Sequence, residues 1–415
     1  MKGKVRVGVL GAGRGAYVGH LFDLHPHAVV VALCDSSSER LNAGRQRLPN
    51  LEATYADFDA FLGHRMEVVI MANDATAHAP YAIKALEAGK HVLSEVMACK
   101  TLAEAVALVR AVERARTIYS FGENCCTMRQ VLEMKRLYRA GELGEYLYGE
   151  CEYIHDCTAI WPHLTYGDPN HWRNWIPATI YCSHSLGPIL DITGTRPVHC
   201  VGLTTPNRLG RLVGRRGDDL GVVLCQMDNG AVTKVLLGLA LRREPALHWY
   251  SLYGTRGQVE NDRGLNEELL HVYLEQDRAA MYGRSYVPRF SQEPEWARGA
   301  SGHGGADEYM VEAFMKAVLE EGPAPIDVYL GLDMTLPGIL GFRSAYEGNI
   351  PLEMPDLRDE STRRRYEHDH WSPDPADAGP GQPKSSSAHG IVETPPEVYE
   401  EQRRRYREGR EGDRP

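Results

Sequence analysis

The sequence predicts an α/β chain: a doubly wound parallel sheet at the N-terminus, then an α+β domain with an open, mainly antiparallel sheet. Three observations predict it. Apolar strand-like runs alternate with helical patterns from residue 5 to residue 124. A glycine-rich turn directly follows the first run. From residue 146 onward, strand-like runs succeed one another without regular helices between them.

The elements follow in order. "VRVGVL" (5–10) reads as a buried strand, and "GAGRGAYVGH" follows it. Gly11, Gly13 and Ala16 fit G-x-G-x-x-A: a tight turn, a close backbone approach to a pyrophosphate, and a helix held near the sheet. "VVVALC" (29–34) is the second strand, and Asp35 stands at its end, 22 residues after Gly13. A carboxylate there accepts both hydroxyls of an adenosine ribose and repels a 2′-phosphate, so NAD is expected over NADP. "VVIMAND", a helix stopped by Gly89, "HVLSE", a helix over 101–115 and "TIYSFGEN" complete a Rossmann-type domain over 1–124. Asp35, Asn73, Glu95 and Asn124 fall at the carboxyl ends of its strands, where ligands gather. Arg14 in the turn and His78 at a helix start join them as cofactor-binding candidates.

A helix over 128–144 leads into the second domain, 125–354, with strands "YLYGECEYI", "VHCVGLTT", "GVVLCQM", "AVTKVLLGLAL" and "LHWYSLYG" and a hairpin at "GTRGQVE". Residues 305–320 read as a helix, and Pro337 is expected to end or kink the helical run 327–348. Residues 355–415 turn rich in Pro, Gly and Ser and then almost wholly charged. They build no core of their own. They read either as a mobile tail or as an arm lying over the catalytic domain or a neighbouring subunit.

Composition narrows the function. The chain has 415 residues, 43% hydrophobic content and a formal net charge of -10, which argues against a general nucleic-acid or anionic-membrane binder. No apolar run reaches the ~20 residues of a membrane span. "MKGKVRVGVLGAG" has no signal-peptide pattern, so a cytoplasmic location is expected. Nine scattered cysteines suit reduced thiols. Cys151, His155 and Cys157 would share one face of an extended strand, but no fourth ligand has a diagnostic spacing, and no metal site is expected.

Three polar clusters mark the second domain. "YIHDCTAIWPHLTYGDPNHWRNW" (153–175) gathers aromatic rings able to face a sugar and groups able to bond its hydroxyls; His155, Asp156, Trp172 and Arg173 are the substrate-binding candidates. "YCSHSLGP" (181–188) places Tyr181 and His184 three apart, on one face if helical, as candidate proton carriers. The plainer alternative is a packed tyrosine–histidine pair. "SGHGGADEYM" (301–310) sets His303 among glycines before a helix, with Asp307 in the first turn as either cap or ligand.

"GAGRGA", "HAPYAIKALEAGKHVLSEV" and the strand-rich second half together resemble the Gfo/Idh/MocA family over about 350 residues. The resemblance implies an NAD(P)-binding domain followed by a domain with an open sheet, and a homo-oligomer. Two departures stand out. The family's Glu-Lys-Pro segment is Glu95-Val96-Met97 here, without the lysine, and its Asp-x-x-x-His pair keeps only His184, with Ile180 at the aspartate position. With "ENCC", "YIHD", "YCSHSLGP" and "GHGGAD", the chain is similar to the NAD-dependent glycoside hydrolases typified by bacterial α-N-acetylgalactosaminidase.

That likeness implies a tightly held NAD, regenerated each turnover: oxidation at C3 of a glycoside, loss of the C2 proton, expulsion of the C1 group, addition of water and return of the hydride. It implies His184 at the reacting hydroxyl and Tyr181 at the C2 proton, or the reverse. Arg173 and Asp156 would bond sugar hydroxyls, His303 would sit near the leaving group or cap the pocket, and Glu95 and Asn124 would seat the nicotinamide ribose or ring. A net sugar oxidoreductase or 3-keto-sugar processing enzyme is the alternative, and a non-catalytic sugar or nucleotide sensor a third.

Overall fold

The computed structural model describes residues 3–277, 283–289, 294–297 and 302–412. Two compact units divide the chain: Met1–Glu133 with Pro288–Leu332 and Asp356–Asp369, and Met134–Val287 with Asp333–Pro355 and His370–Pro415. Both are built from discontinuous segments.

The strands of the first unit are β1 (Val5–Leu10), β2 (Ala28–Cys34), β3 (Ala53–Tyr55), β4 (Val68–Met71), β5 (His91–Ser94) and β6 (Tyr119–Phe121). Those of the second are β7 (Tyr146–Ile154), β8 (Pro197–Thr204), β9 (Leu220–Met227), β10 (Val232–Gly238), β11 (Leu247–Gly254), β12 (Gly257–Asn261), β13 (Leu270–Leu274), β14 (Arg284–Tyr286) and β15 (Leu352–Glu353). In chain order the α-helices are α1 (Arg14–Leu24), α2 (Ser38–Arg47), α3 (Phe58–Leu62), α4 (His78–Glu87), α5 (Leu102–Arg114) and α6 (Arg129–Arg139). They continue with α7 (Trp161–Thr165), α8 (Cys182–Thr193), α9 (Ala306–Glu320), α10 (Val328–Tyr346), α11 (Glu360–Tyr366) and α12 (Pro396–Gly412).

In the first unit the sheet order is β3-β2-β1-β4-β5-β6, every pairing parallel. Val7, Val9, Val30, Leu33, Val68 and Ile70 are buried, as continuous apolar runs covered on both faces must be. Strand order reverses beside β1, so the turn after β1 opens at the topological switch point. Helix α9 lies far along the chain yet packs into this unit's core, with Phe314 edge-on to Phe22 at 6.0 Å.

In the second unit the order is β14-β13-β12-β11-β7-β10-β9-β8-β15. Among the described residues only β7 and β10 run parallel; the other pairings are antiparallel. Helix α8 packs on β7, β10 and β11 and is buried along most of its length, with Leu186, Ile189 and Leu190 fully covered.

Three expectations are corrected or resolved. Helix α10 continues through Pro337. Side-chain donors serve the carbonyls around it: the Cys182 thiol bonds the Met334 carbonyl and the Thr179 hydroxyl the Gly338 carbonyl. Strand β7 ends at Ile154, so His155 and Cys157 leave the pleat that would have aligned them with Cys151. The polar segment after residue 369 is an arm. Tyr399, Gln402, Ser386 and Ser387 are buried in it, and α12 packs on α7.

Candidate active site

The first unit concentrates polar groups at the carboxyl ends of its strands. Gly11 adopts φ 97°, and a Cβ there would lie 2.2 Å from the Ala72 carbonyl oxygen; only glycine fits. Gly13 stands at the N-cap of α1 and no side chain caps that end, so backbone N–H groups of the first turn face a phosphate position. Ala16, in the first turn of α1, is buried. Asn73 Oδ1 is buried with no partner among the described residues, an acceptor awaiting a donor. These features fit a dinucleotide.

Asp35 is less open than the sequence suggests. Its carboxylate accepts from the backbone of Ala12 and of Ser37, both at 2.8 Å, and from the Arg40 guanidinium at 2.7 Å. It ties the glycine turn to α2 and shares its charge with Arg40. His78 is fully buried between the carbonyls of Met97 (2.9 Å) and Asn73 (3.2 Å). Burial lowers its pKa, against the backbone bonds that raise it, and its two ring nitrogens tie the ends of two strands together.

Arg14 joins three candidates. Its Nε donates to Glu95 at 2.8 Å, and its two terminal nitrogens grip Asp307 at 3.0 and 2.5 Å. Asn124 Nδ2 donates to the same Asp307 carboxylate at 3.0 Å. Burial works against the Arg14 cation, but Glu95 and Asp307 outweigh it and raise its pKa. Asp307, with a fully buried side chain, is therefore the hub of this cluster and no mere helix cap.

In the second unit, Tyr181 ends a 3-10 turn (Ala178–Tyr181) and caps α8, whose third residue is His184. Their rings lie 5.6 Å apart. Pro188 sits inside α8 and has no N–H for the carbonyl of His184 one turn back. The Tyr250 hydroxyl, from β11, donates to that carbonyl at 2.7 Å. This side-chain donor lets "YCSHSLGP" be helical in spite of its proline. Tyr153 on β7 meets the His184 ring edge-on at 5.0 Å and approaches His155 Nδ1 through its hydroxyl at 3.2 Å.

Arg173 lies 4.2 Å above the Trp172 ring and points an Nη at the Tyr181 oxygen, 3.4 Å away. A tyrosine acting as a base needs such a positive charge nearby. Trp172 itself is 6% exposed, with His171 stacked against it. It backs Arg173 instead of offering an open face to a sugar. Asp156 accepts from Thr158 and from Arg242 at 3.1 Å. Burial would raise its pKa, but these bonds prevail and hold the carboxyl below its usual range.

The structure thus brings Tyr181, His184, Arg173 and Trp172 together, with His155 joined through Tyr153, and turns Asp156 toward Arg242. His303 belongs to the turn Gly302–Gly305, and its side chain lies outside the described residues. Sequence reasoning left out Arg40, Tyr250 and Arg242; no local motif signals them, because each acts across strands or turns. A separate cavity of about 1010 Å³ is lined by Trp175, Arg211, Arg216, Lys384 and arm residues, with neither Tyr181 nor His184 in its described wall.

Residues 5–123 match the family described as "Oxidoreductase family, NAD-binding Rossmann fold", and residues 225–366 match "Glycosyl hydrolase 109, C-terminal domain". A glycosyl hydrolase family 109 protein of Saccharopolyspora erythraea is 28% identical, over 90% of this chain and 87% of its own. One from Porphyromonas gingivalis is 27% identical over 85% and 84%. Among solved structures, a levoglucosan dehydrogenase in complex with NADH shares the fold at TM-score 0.71 and 20% identity, over 85% of this chain and 100% of its own. An oxidoreductase domain protein from Kribbella flavida does so at TM-score 0.73 and 19% identity, with the same coverages. No helix among the described residues is long and apolar enough to cross a membrane. The chain is an enzyme whose residues 5–123 match the NAD-binding domain of the Gfo/Idh/MocA oxidoreductases and whose residues 225–366 match the C-terminal domain of the glycosyl hydrolase 109 proteins.

Proposed function

We propose that the protein is an NAD-dependent, redox-assisted glycoside hydrolase. The observation that carries this reading is the Arg173–Tyr181–His184 group, a charge-supported phenol beside an imidazole, in a chain with a glycosyl hydrolase 109 domain. Bound NAD supplies an acceptor for the hydride of a sugar carbinol carbon and a donor for its return. Gly11, Gly13, the first turn of α1, Asp35 and Asn73 hold its phosphates and adenosine, and Glu95 and Asn124 its other half.

His184 takes the proton of the C3 hydroxyl as that carbon becomes a ketone, and gives it back at the end. The ketone acidifies C2–H, and the Tyr181 oxygen beside Arg173 removes that proton. The C2–H electron pair forms the C1=C2 bond as the C1–O bond breaks and the leaving group departs with its electrons. Water then adds at C1 and a proton returns to C2. No pair of carboxylates at glycosidase spacing is needed. Arg173, and His155 through Tyr153, orient the sugar. The lost lysine and the Ile180 replacement support this assignment of proton transfer to Tyr181 and His184. A homo-oligomer is expected for the assembly.

The test uses a panel of aryl glycosides in buffered deuterium oxide. Hydrolysis without net NADH, with deuterium at C2 of the released sugar, is the expected result. Stoichiometric NADH with a recoverable keto sugar would select a net sugar oxidoreductase instead. Tyr181→Phe and His184→Ala should each lose turnover by ~100-fold while retaining bound NAD. Near-normal turnover in both folded variants would refute the assignment.

A further inference from the structure

We infer that the arm helix α12 positions Arg173 and Tyr181 through an unbroken stack of rings, which makes Tyr406 and Tyr399 positioning residues for the proposed chemistry. The inference rests on the role proposed above for Tyr181.

The path is continuous. Tyr406 of α12 meets Tyr166 edge-on at 5.5 Å, and Tyr166 meets His171 at 5.7 Å. His171 stacks on Trp172 at 5.8 Å, the Arg173 guanidinium lies on Trp172 at 4.2 Å, and Arg173 reaches the Tyr181 oxygen at 3.4 Å. A second tether enters the same turn one residue further on. The Tyr399 hydroxyl, which donates to the Gly214 carbonyl at 2.9 Å, accepts from Arg216 Nε at 3.2 Å. The Arg216 backbone N–H donates to the carbonyl of Asn174. Asn174, 1% exposed, in turn fixes the Trp161 indole at 2.9 Å. Arg173 therefore stands between two residues that the arm holds.

The contact has the marks of a fitted surface. A Cβ on Gly167 would come within 2.5 Å of the Arg403 backbone nitrogen, one on Gly214 within 2.5 Å of the Tyr399 ring, and one on Gly409 within 2.5 Å of the His163 ring. Tyr166 is held at φ 56°, a left-handed conformation unfavourable for a bulky side chain, and that conformation carries its ring between Tyr406 and His171. Packed rings and buried hydrogen bonds allow few intermediate arrangements, so loss of the Tyr406 ring frees His171, Trp172 and then the cation.

The experiment compares the full chain with Tyr406→Ala, Tyr406→Phe and Tyr399→Phe. Turnover is read as kcat and KM. The Tyr181 phenol is followed by NMR of ring-13C tyrosine against pH, its resonance identified by its loss in Tyr181→Phe. Tyr406→Ala should lower kcat by about 10- to 100-fold, with KM moved by no more than about twofold, and shift the Tyr181 titration. Tyr406→Phe should restore both, because only the ring is needed. Tyr399→Phe should give a smaller loss of the same kind. An unchanged Tyr181 titration in folded Tyr406→Ala overturns the inference whatever the reaction proves to be. A shifted titration with full turnover upholds the positioning and refutes the catalytic role of Tyr181. Should Tyr406→Ala fail to fold by circular dichroism, Tyr406→Leu, which keeps the volume without the ring, carries the same test.

Discussion

The Tyr250 hydroxyl donates to the His184 carbonyl at 2.7 Å, and Pro188 is the reason that this carbonyl needs a side-chain donor. Tyr250 is fully buried on β11, so water is a poor substitute. Tyr250→Phe keeps the ring and removes the donor, and is expected to cost about 1–3 kcal/mol. It should also lower turnover, because the backbone that carries the His184 ring is loosened. Urea denaturation and steady-state kinetics on the same samples check both. An unchanged midpoint would mean that α8 satisfies this carbonyl by other means.

Asp35 and Arg40 neutralise each other at the adenosine end. Asp35→Ala removes the ribose acceptor and releases a guanidinium for a 2′-phosphate, so the preference for NAD over NADP should narrow by at least about tenfold. Arg40→Ala leaves the carboxylate unpaired and should widen it; each tenfold step is about 1.4 kcal/mol. Calorimetric Kd values for both dinucleotides on both variants give the answer. Tighter binding of NADP to the unmodified protein would refute the cofactor preference.

Arg14 is the cation that makes a buried Asp307 carboxylate tolerable. Arg14→Ala is expected to destabilise the first unit by about 3–5 kcal/mol, because it removes the cation that grips a fully buried carboxylate. Asp307→Asn, which leaves Arg14 its Glu95 partner, should cost less, about 1–3 kcal/mol. Denaturant midpoints measured without added dinucleotide separate this effect from cofactor binding.

Asp359 caps α11, and hydrogen bonds from Ser361 and Thr362 lower its pKa from 3.8 to about 2. A depressed folded-state pKa means stability that is present above pH 3.8 and lost as the pH falls through about 2. The stability gap between the unmodified chain and Asp359→Ala should therefore be full near neutrality and shrink across that acid window. Thermal unfolding at a series of pH values tests it. A gap that stays constant down to pH 2 would show that the cap acts without its charge.

The nucleotide half was the most legible, because its signals are local: Val-rich runs of five or six residues, glycines at fixed offsets and an acid at a strand end. The pair Tyr181 and His184 was also readable, since a spacing of three shares a helix face even with Pro188 present. What lay hidden depends on distance along the chain. Asp307 meets Arg14 across 293 residues, and nothing in "GHGGAD" distinguishes a hub from a cap. Trp172 looked like a sugar platform because sequence gives ring content but not which faces are covered. The arm was ambiguous because its polar composition is that of a tail; its anchors are a few rings, two glycines on the surface it covers and one of its own. Pro337 does not end α10, and the side chains that bond carbonyls near it, Cys182 and Thr179, come from another segment that no local pattern points to.

The arm's place in the chain also sets an order of events during synthesis. Helix α12 emerges from the ribosome roughly 230 residues after α7, the helix it covers, a delay of about 10–50 s at ordinary elongation rates. During that interval the faces of the His163 and Tyr166 rings that meet Tyr406 have no cover from α12. Messages cut short before the arm is translated would yield proteins that keep the glycine turn and its surrounding strands but lack the helix that covers those ring faces. Such products would mark themselves for quality control by the surface they leave uncovered.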